Sequence, residues 1–410
     1  MHRLTTSEAT AVPLVQAIAL MYLCLFVPQN ALGATGEAAQ MTSTDLALQP
    51  PIINTAPEAQ YGDETRLFQG IPGIERTAKG RLWATWYGGG PTEGPENYVM
   101  LNTSADDGET WSDLCVVIDP PDAVRAFDPV LWLDPLGRLW LFWAQGYSHW
   151  DGRAGVWAIV AEDPDSASPT WSAPHRLCNG IIMNKPVVLS TGEWLLPTAI
   201  WAFPPNVGDP AHARLTPDES GSNVVCSRDQ GATWEFLGGS DVPDRRCDEH
   251  HVIERRDGTL WMLVRTGYGI GESFSRDRGK TWSEGQPSSI AHIPAARFFI
   301  RRLASGNLLL VKHAPSEGKA RSHLTAYLST DDGASWQGGL LIDERDGVSY
   351  PDAVQAADGT VYLIYDYSRR GEKQILMATF REEDVLAGTP MSDAVRLRVL
   401  VNQATGRKDE

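Results

Sequence analysis

Six short segments of this chain each stand just ahead of an apolar run, and five of them carry polar or ionisable side chains. They read Gly70-Ile71-Pro72, Phe127-Asp128-Pro129, Asn184-Lys185-Pro186, Glu249-His250-His251, Arg297-Phe298-Phe299 and Tyr350-Pro351-Asp352. One or two such segments would be ordinary strand starts. Five in register point instead to a shared concave site, where a few convergent polar groups sit in apolar walls. The set holds carboxylates, imidazoles, cations and a phenol, the groups used in proton transfer and nucleophilic attack. Arg265, delivered by the apolar run Leu260-Trp261-Met262-Leu263-Val264, adds a guanidinium to the set.

The elements that must hold these residues follow from two repeats. The first is a turn between apolar runs: Gly80-Arg-Leu-Trp, Gly137-Arg-Leu-Trp, Gly192-Glu-Trp-Leu, Gly258-Thr-Leu-Trp, Gly306-Asn-Leu-Leu and Gly359-Thr-Val-Tyr. Its glycines lie 57, 55, 66, 48 and 53 residues apart. Short apolar runs split by such turns read as β-hairpins. A period near 50, with four strands' worth of chain per unit, reads as a propeller blade. The second repeat is Ser-x-Asp-x-Gly-x-Thr/Ser-Trp at Ser104–Trp111, Ser227–Trp234, Ser275–Trp282 and Ser329–Trp336, with a degenerate copy at Asp163–Trp171. In each box Asp and Ser can bond nearby backbone N–H groups, Gly can take positive φ, and Trp can pack between sheets. Lacking further spaced carboxylates and a terminal Glu, the boxes do not read as calcium loops. The fold class is therefore all-β, a six-bladed β-propeller with Asp-box repeats. In such a ring the innermost strand of each blade begins at the central funnel, so the six segments converge there.

Composition sets outer limits. The net charge of −17 argues against nucleic acid, which needs a basic footprint, but not against an anionic sugar met by local arginines. Arg3, the apolar stretch Val12–Val27 and the small residues Ala31-Leu32-Gly33 read as a signal peptide over 1–33. A membrane anchor is the competing reading, disfavoured because the stretch falls short of the roughly 20 residues a spanning helix needs. Residues 34–60 read as a flexible leader, 61–402 as the propeller and 403–410 as a polar tail. Part of Thr65–Phe68 is read as a strand closing the last blade, and Arg396–Val401 as a final strand. Beyond Cys24, the cysteines Cys115, Cys178, Cys226 and Cys247 are too scattered for a disulfide scaffold or a zinc site. No metal and no cofactor is expected. The expected location is secreted or periplasmic, with no membrane span after signal cleavage and no nucleic-acid partner. Oligomeric state is not legible.

With its Asp boxes, the propeller resembles the sialidases (neuraminidases) across most of residues 61–402. That family uses a tyrosine nucleophile, an exception among glycosidases. A neutral phenol avoids the repulsion that a carboxylate nucleophile would feel from an acidic substrate, and a neighbouring Glu takes its proton. The resemblance carries the nucleophile onto Tyr350, in Val348-Ser349-Tyr350-Pro351-Asp352, and its partner onto Glu249. Two arginines of the family's carboxylate-binding triad fall on Arg265 and on Arg321, in Ala320-Arg321-Ser322-His323. Two departures stand out. The family's Arg-Ile-Pro is here Gly70-Ile71-Pro72, so the first triad arginine is missing, with Arg297 or Arg125 as replacements. The acid/base, an Asp in the family, falls in Gly88-Gly-Gly-Pro-Thr-Glu93-Gly-Pro-Glu96, with Glu96 the first choice and Glu93 the second. The glycines of this segment suit a loop that closes over substrate. Arg125, Asp128, Lys185, His250 and Asp352 complete the expected recognition surface.

Three functions are open, in this order. The first is an exo-glycosidase removing a terminal sialic acid or related acidic sugar. The second is a polysaccharide lyase on uronic acids, with His250 or Tyr350 as base. The third is a glycan-binding propeller without catalysis.

Overall fold

In a computed structural model, the described residues are 45–214, 219–291, 295–314 and 320–407. They form six antiparallel sheets in chain order, the six blades expected from the hairpin repeat. Blade one comprises Phe68–Arg76, Leu82–Gly89, Asn97–Ser104 and Val116–Ile118; blade two, Val124–Leu133, Leu139–Tyr147, Val156–Ala161 and His175–Cys178. Blade three holds Val187–Val188, Trp194–Ile200, Gly221–Ser227 and Glu235–Ser240; blade four, His251–Glu254, Leu260–Thr266, Gly269–Ser275 and Gln286–Pro287. Blade five is Phe299–Arg302, Leu308–His313, Leu324–Ser329 and Gln337–Asp343; blade six, Val348–Gln355, Val361–Tyr367, Gln374–Phe380 and Arg396–Gln403.

The repeated turn is the same object six times. The N–H of Gly80, Gly137, Gly192, Gly258, Gly306 and Gly359 donates to the carbonyl three residues back, at 2.8–3.0 Å. All six glycines have φ between 80° and 104°, where a Cβ is penalised. The four full Asp boxes also repeat one pattern. In the box at Ser275, the Oγ accepts from Gly279 N at 2.8 Å and donates to Asp277 Oδ1 at 2.9 Å. Asp277 Oδ1 in turn accepts from Thr281 N at 2.9 Å.

Apolar side chains fill the gaps between neighbouring blades. Between blades two and three, Trp132 meets Trp194 edge-on at 4.9 Å, and Trp140 and Trp234 complete the cluster. Rings of this size dominate core energetics through buried area. Blade one packs on blade six through Ile74, Leu82, Trp86, Ile364 and Met377. There Asn402 Oδ1 accepts from Arg66 Nη2 at 2.9 Å and Gln69 Nε2 at 3.0 Å.

Two expectations on the chain's edges are revised. Phe68 opens the innermost strand of blade one rather than closing the last blade, whose own fourth strand is Arg396–Gln403. Within the expected leader, Ile53–Asn54 pairs with Val117–Ile118 as a fifth strand of blade one. Asp45 caps the short turn Leu46–Leu48. The expected signal segment 1–33 lies outside the described residues. Among the described residues no helix is long and apolar enough to cross a membrane, and all four cysteines there are free.

Candidate active site

The inner strands do not run straight into the funnel. In blades one, two and six the pairing register slips at Gly70/Gly73, Phe127/Val130 and Ser349/Asp352. Each slip contains a residue followed by proline, and that residue has positive φ: Ile71 at 57°, Asp128 at 50°, Tyr350 at 54°. Proline cannot donate to the ladder, so the pairing breaks there, and a bulge re-aims side chains. In blade four the segment Cys247-Asp248-Glu249 reaches a related result with φ of 58°, 55° and 43°. Non-glycine residues with φ in this region are uncommon and cluster at functional sites.

The re-aimed Tyr350 and Glu249 meet across the funnel. Tyr350 Oη donates to Glu249 Oε1 at 2.9 Å. Arg265 Nη1 donates to the same oxygen at 2.5 Å and lies 3.4 Å from the phenol oxygen. Tyr350 and Glu249 are only 6% and 2% exposed. Burial pushes the phenol well above its ordinary range; the Glu249 charge adds to this, and Arg265, Arg321 and Arg369 oppose it. Among the described residues, Glu249 Oε2 has no hydrogen-bond partner, an unusual condition for a buried carboxylate oxygen.

Other residues fix this pair in position. Asp248 is buried against Ser222 Oγ at 2.6 Å and Arg245 Nη1 at 3.1 Å. Trp201 Nε1 donates to the Cys247 carbonyl at 3.0 Å. Asn184 Nδ2 donates to the carbonyls of Glu249 and His250 at 2.8 and 3.0 Å. Arg297 bonds Asn184 Oδ1 at 2.8 Å and is 1% exposed.

Three guanidiniums surround the Tyr350 ring. Arg265 reaches its oxygen, while Arg321 and Arg369 lie 5.4 and 5.1 Å from its centroid. Arg321 is tied to Ser349 Oγ at 3.1 Å. Arg369, in the turn after Val361–Tyr367, donates to Glu93 Oε1 at 2.9 Å, and its neighbour Arg370 donates to Thr92 Oγ1 at 2.6 Å. Glu93 also faces His149 Nδ1 at 3.7 Å. Burial works to raise the Glu93 pKa, but Arg369, Arg125, His149 and Arg321 together hold it below the ordinary value. Asp128, buried close by, is raised to about 8 by burial; Arg125 opposes this, while Glu93 and Glu249 reinforce it.

The structure thus brings Tyr350, Glu249, Arg265, Arg321, Asp128 and Arg125 to one funnel, and leaves other expected residues out of it. Glu96 is exposed, its carboxylate folded back over Gly90, so Glu93 is the loop acid that reaches the arginines. Arg297 and Arg125 do not stand in for the arginine missing at Gly70. The former is spent on Asn184, and the latter stacks 3.8 Å over Phe127 and donates to Ser148 O at 3.3 Å. Lys185 is an axial tie: it donates to Leu131 O at 2.7 Å and pairs with Glu75 and Asp352 at 3.2 and 3.1 Å. Asp352 also accepts from Ile74 N at 2.9 Å, so it joins inner strands rather than facing substrate. His250 bonds Asn223 O at 2.7 Å, and burial lowers its pKa to about 4, keeping the ring neutral and turned into blade three. Sequence reasoning missed Arg369 and His149. Nothing local marks either, because Arg369 earns its position from Gly70, 299 residues earlier in the numbering.

Six blades around a polar funnel, four of them carrying a full Asp box, define a propeller of the Asp-box class. The BNR repeat-like domain family matches residues 80–363, more than half the chain, and the chain belongs to that family. Similar solved structures include sialidases and an arabinanase. A Hadza microbial sialidase is 19% identical with a TM-score of 0.62, covering 79% of this chain and 68% of that one. The leech intramolecular trans-sialidase is 13% identical with a TM-score of 0.60, covering 80% and 70%. The Penicillium chrysogenum α-L-arabinanase is 14% identical with a TM-score of 0.55, covering 82% and 99%. At such identities the likeness carries the fold alone. No protein with a curated description matches the chain.

Proposed function

We propose that this protein is a glycoside hydrolase of sialidase type that removes a terminal sialic acid or related acidic sugar from a glycan. The observation that carries the reading is the buried contact of Tyr350, Glu249 and Arg265 on one oxygen. A phenol held well above its ordinary pKa is a poor nucleophile alone. It needs a base in hydrogen-bond reach, and Glu249 is at that distance.

In the proposed reaction, Arg265 and Arg321 hold the substrate carboxylate beside the Tyr350 ring. As the glycosidic bond breaks, the phenol proton passes to Glu249 and Tyr350 Oη bonds the anomeric carbon. Glu93 gives its proton to the leaving oxygen. Water then attacks the glycosyl-enzyme with Glu93 as base, the proton returns from Glu249 to the phenolate, and configuration is retained. Asp128, held protonated near neutrality, presents a hydroxyl donor to the sugar.

The test is a fluorogenic 4-methylumbelliferyl α-glycoside of N-acetylneuraminic acid, with the first product's anomer read by proton NMR. Release of the α-anomer by wild type and its loss in Tyr350→Phe support the reading. An unchanged rate in that variant overturns it. Running uronate-bearing glycans alongside separates a lyase, whose unsaturated product absorbs in the near ultraviolet.

A further inference from the structure

Resting on that reading, we propose that Arg369 is the third guanidinium of the carboxylate grip, reaching the funnel across the bare α-carbon of Gly70, and that the incoming carboxylate takes it from Glu93. The first part is steric. A Cβ on residue 70 would lie 2.3 Å from Arg369 Cδ, 2.6 Å from its Cγ and 2.9 Å from Asp366 Oδ2. Residue 70 and Arg369 therefore cannot both carry side chains in this arrangement. Gly70 is absent from the glycines with positive φ, so no turn demands it. The passing side chain does.

The second part is electrostatic. Arg369 stands on the Tyr350 ring at 5.1 Å, with Arg321 on the same ring at 5.4 Å and Arg265 at the phenol oxygen. Asp366 steadies the Arg369 base at 4.0 Å. The head of Arg369 is held by Glu93 at 2.9 Å, a carboxylate of the protein lying where a substrate carboxylate would bind. Exchanging one carboxylate for the other keeps the guanidinium paired, as a partly buried charge favours. The exchange also strips Glu93 of the strongest of the charges that lower its pKa, leaving burial to raise it. Glu93 then holds a proton when a leaving oxygen is present to receive it.

The experiment compares Arg369→Ala, Arg369→Lys, Gly70→Ala and the Gly70→Ala/Arg369→Ala double variant on the 4-methylumbelliferyl sialoside and on its carboxylate methyl ester. Melting temperatures are measured in parallel. Arg369→Ala should lower kcat/KM for the acid by about 10- to 100-fold, the range for a lost charge-assisted hydrogen bond, and should reduce the acid-to-ester preference. Arg369→Lys should recover part of both. Gly70→Ala, which removes no functional group, should reproduce the Arg369→Ala loss, and the double variant should be no worse than either single one. An intact acid-to-ester ratio in Arg369→Ala, or additive losses in the double variant, overturns the assignment while leaving the proposed activity standing. Wild type that hydrolyses neither substrate overturns both.

Discussion

The Asp boxes and the funnel are built from the same residue types under opposite rules. A box closes within eight residues of chain: Ser275, Asp277, Gly279 and Thr281 bond one another at separations of two and four. Its carboxylate is exposed and stabilised as an anion; Asp106, Asp229, Asp277 and Asp331 are lowered to about 2, chiefly by hydrogen bonds from the Thr or Ser and its backbone. The funnel closes between residues 101 apart for Tyr350 with Glu249 and 276 apart for Arg369 with Glu93. Its Asp128 is pushed to about 8 by burial. The rim spends carboxylates on holding the fold, whereas the funnel keeps ionisable groups away from their ordinary states for chemistry.

That contrast can be broken most severely at the funnel. Tyr350→Phe should lower kcat/KM on the fluorogenic sialoside by roughly 1,000-fold or more and should still bind an unsaturated sialic acid analogue by calorimetry. Glu249→Gln keeps the shape but not the base, and should cost about 100- to 10,000-fold in the same assay. At the packing between blades, Trp132→Ala should cost about 3–5 kcal/mol in denaturant unfolding, because the ring is fully buried among Trp140 and Trp194.

Titration sharpens the contrast further. Asp128 has a raised folded pKa, so its burial penalty is absent below the ordinary 3.8 and grows as pH rises toward about 8. Asp128→Asn should therefore raise the melting temperature more at pH 7 than at pH 4. Asp277 has a depressed folded pKa, so what it contributes is complete above 3.8 and lost as pH falls through about 2. The expected effect of Asp277→Asn is the smallest: a slightly lower melting temperature at pH 6, converging with wild type near pH 2, and unchanged kcat/KM. Solvent screening of an exposed carboxylate keeps it small.

The same contrast explains what could be read from the chain alone. Blade number, hairpin turns and boxes are written in adjacent residues, and each reappears in the structure. The meeting of Tyr350 with Glu249 was legible because Glu249 lies just before one inner strand and Tyr350 near the start of another, and those starts share one axis. Glu93 and Glu96 lie three residues apart in one loop, and only the reach of Arg369 from blade six distinguishes them. Lys185, Asp352 and Arg297 carried the right register and charge, but distant partners absorb them: backbone carbonyls and carboxylates for Lys185, the Ile74 N–H and Lys185 for Asp352, and Asn184 for Arg297. Register gave the end of the ring at which a side chain sits, and tertiary contacts decided what it touches.

Among the described residues, each of the six principal sheets is spun from one stretch of chain, and no strand is lent from the last blade to the first. The seam between them is thus a non-covalent joint like the other five, except that no linker tethers it. Loosening Asn402, for instance as Asn402→Ala, should let the ring open there first, and hydrogen exchange should report it as faster amide turnover along Arg396–Gln403 than along the outer strand of blade five.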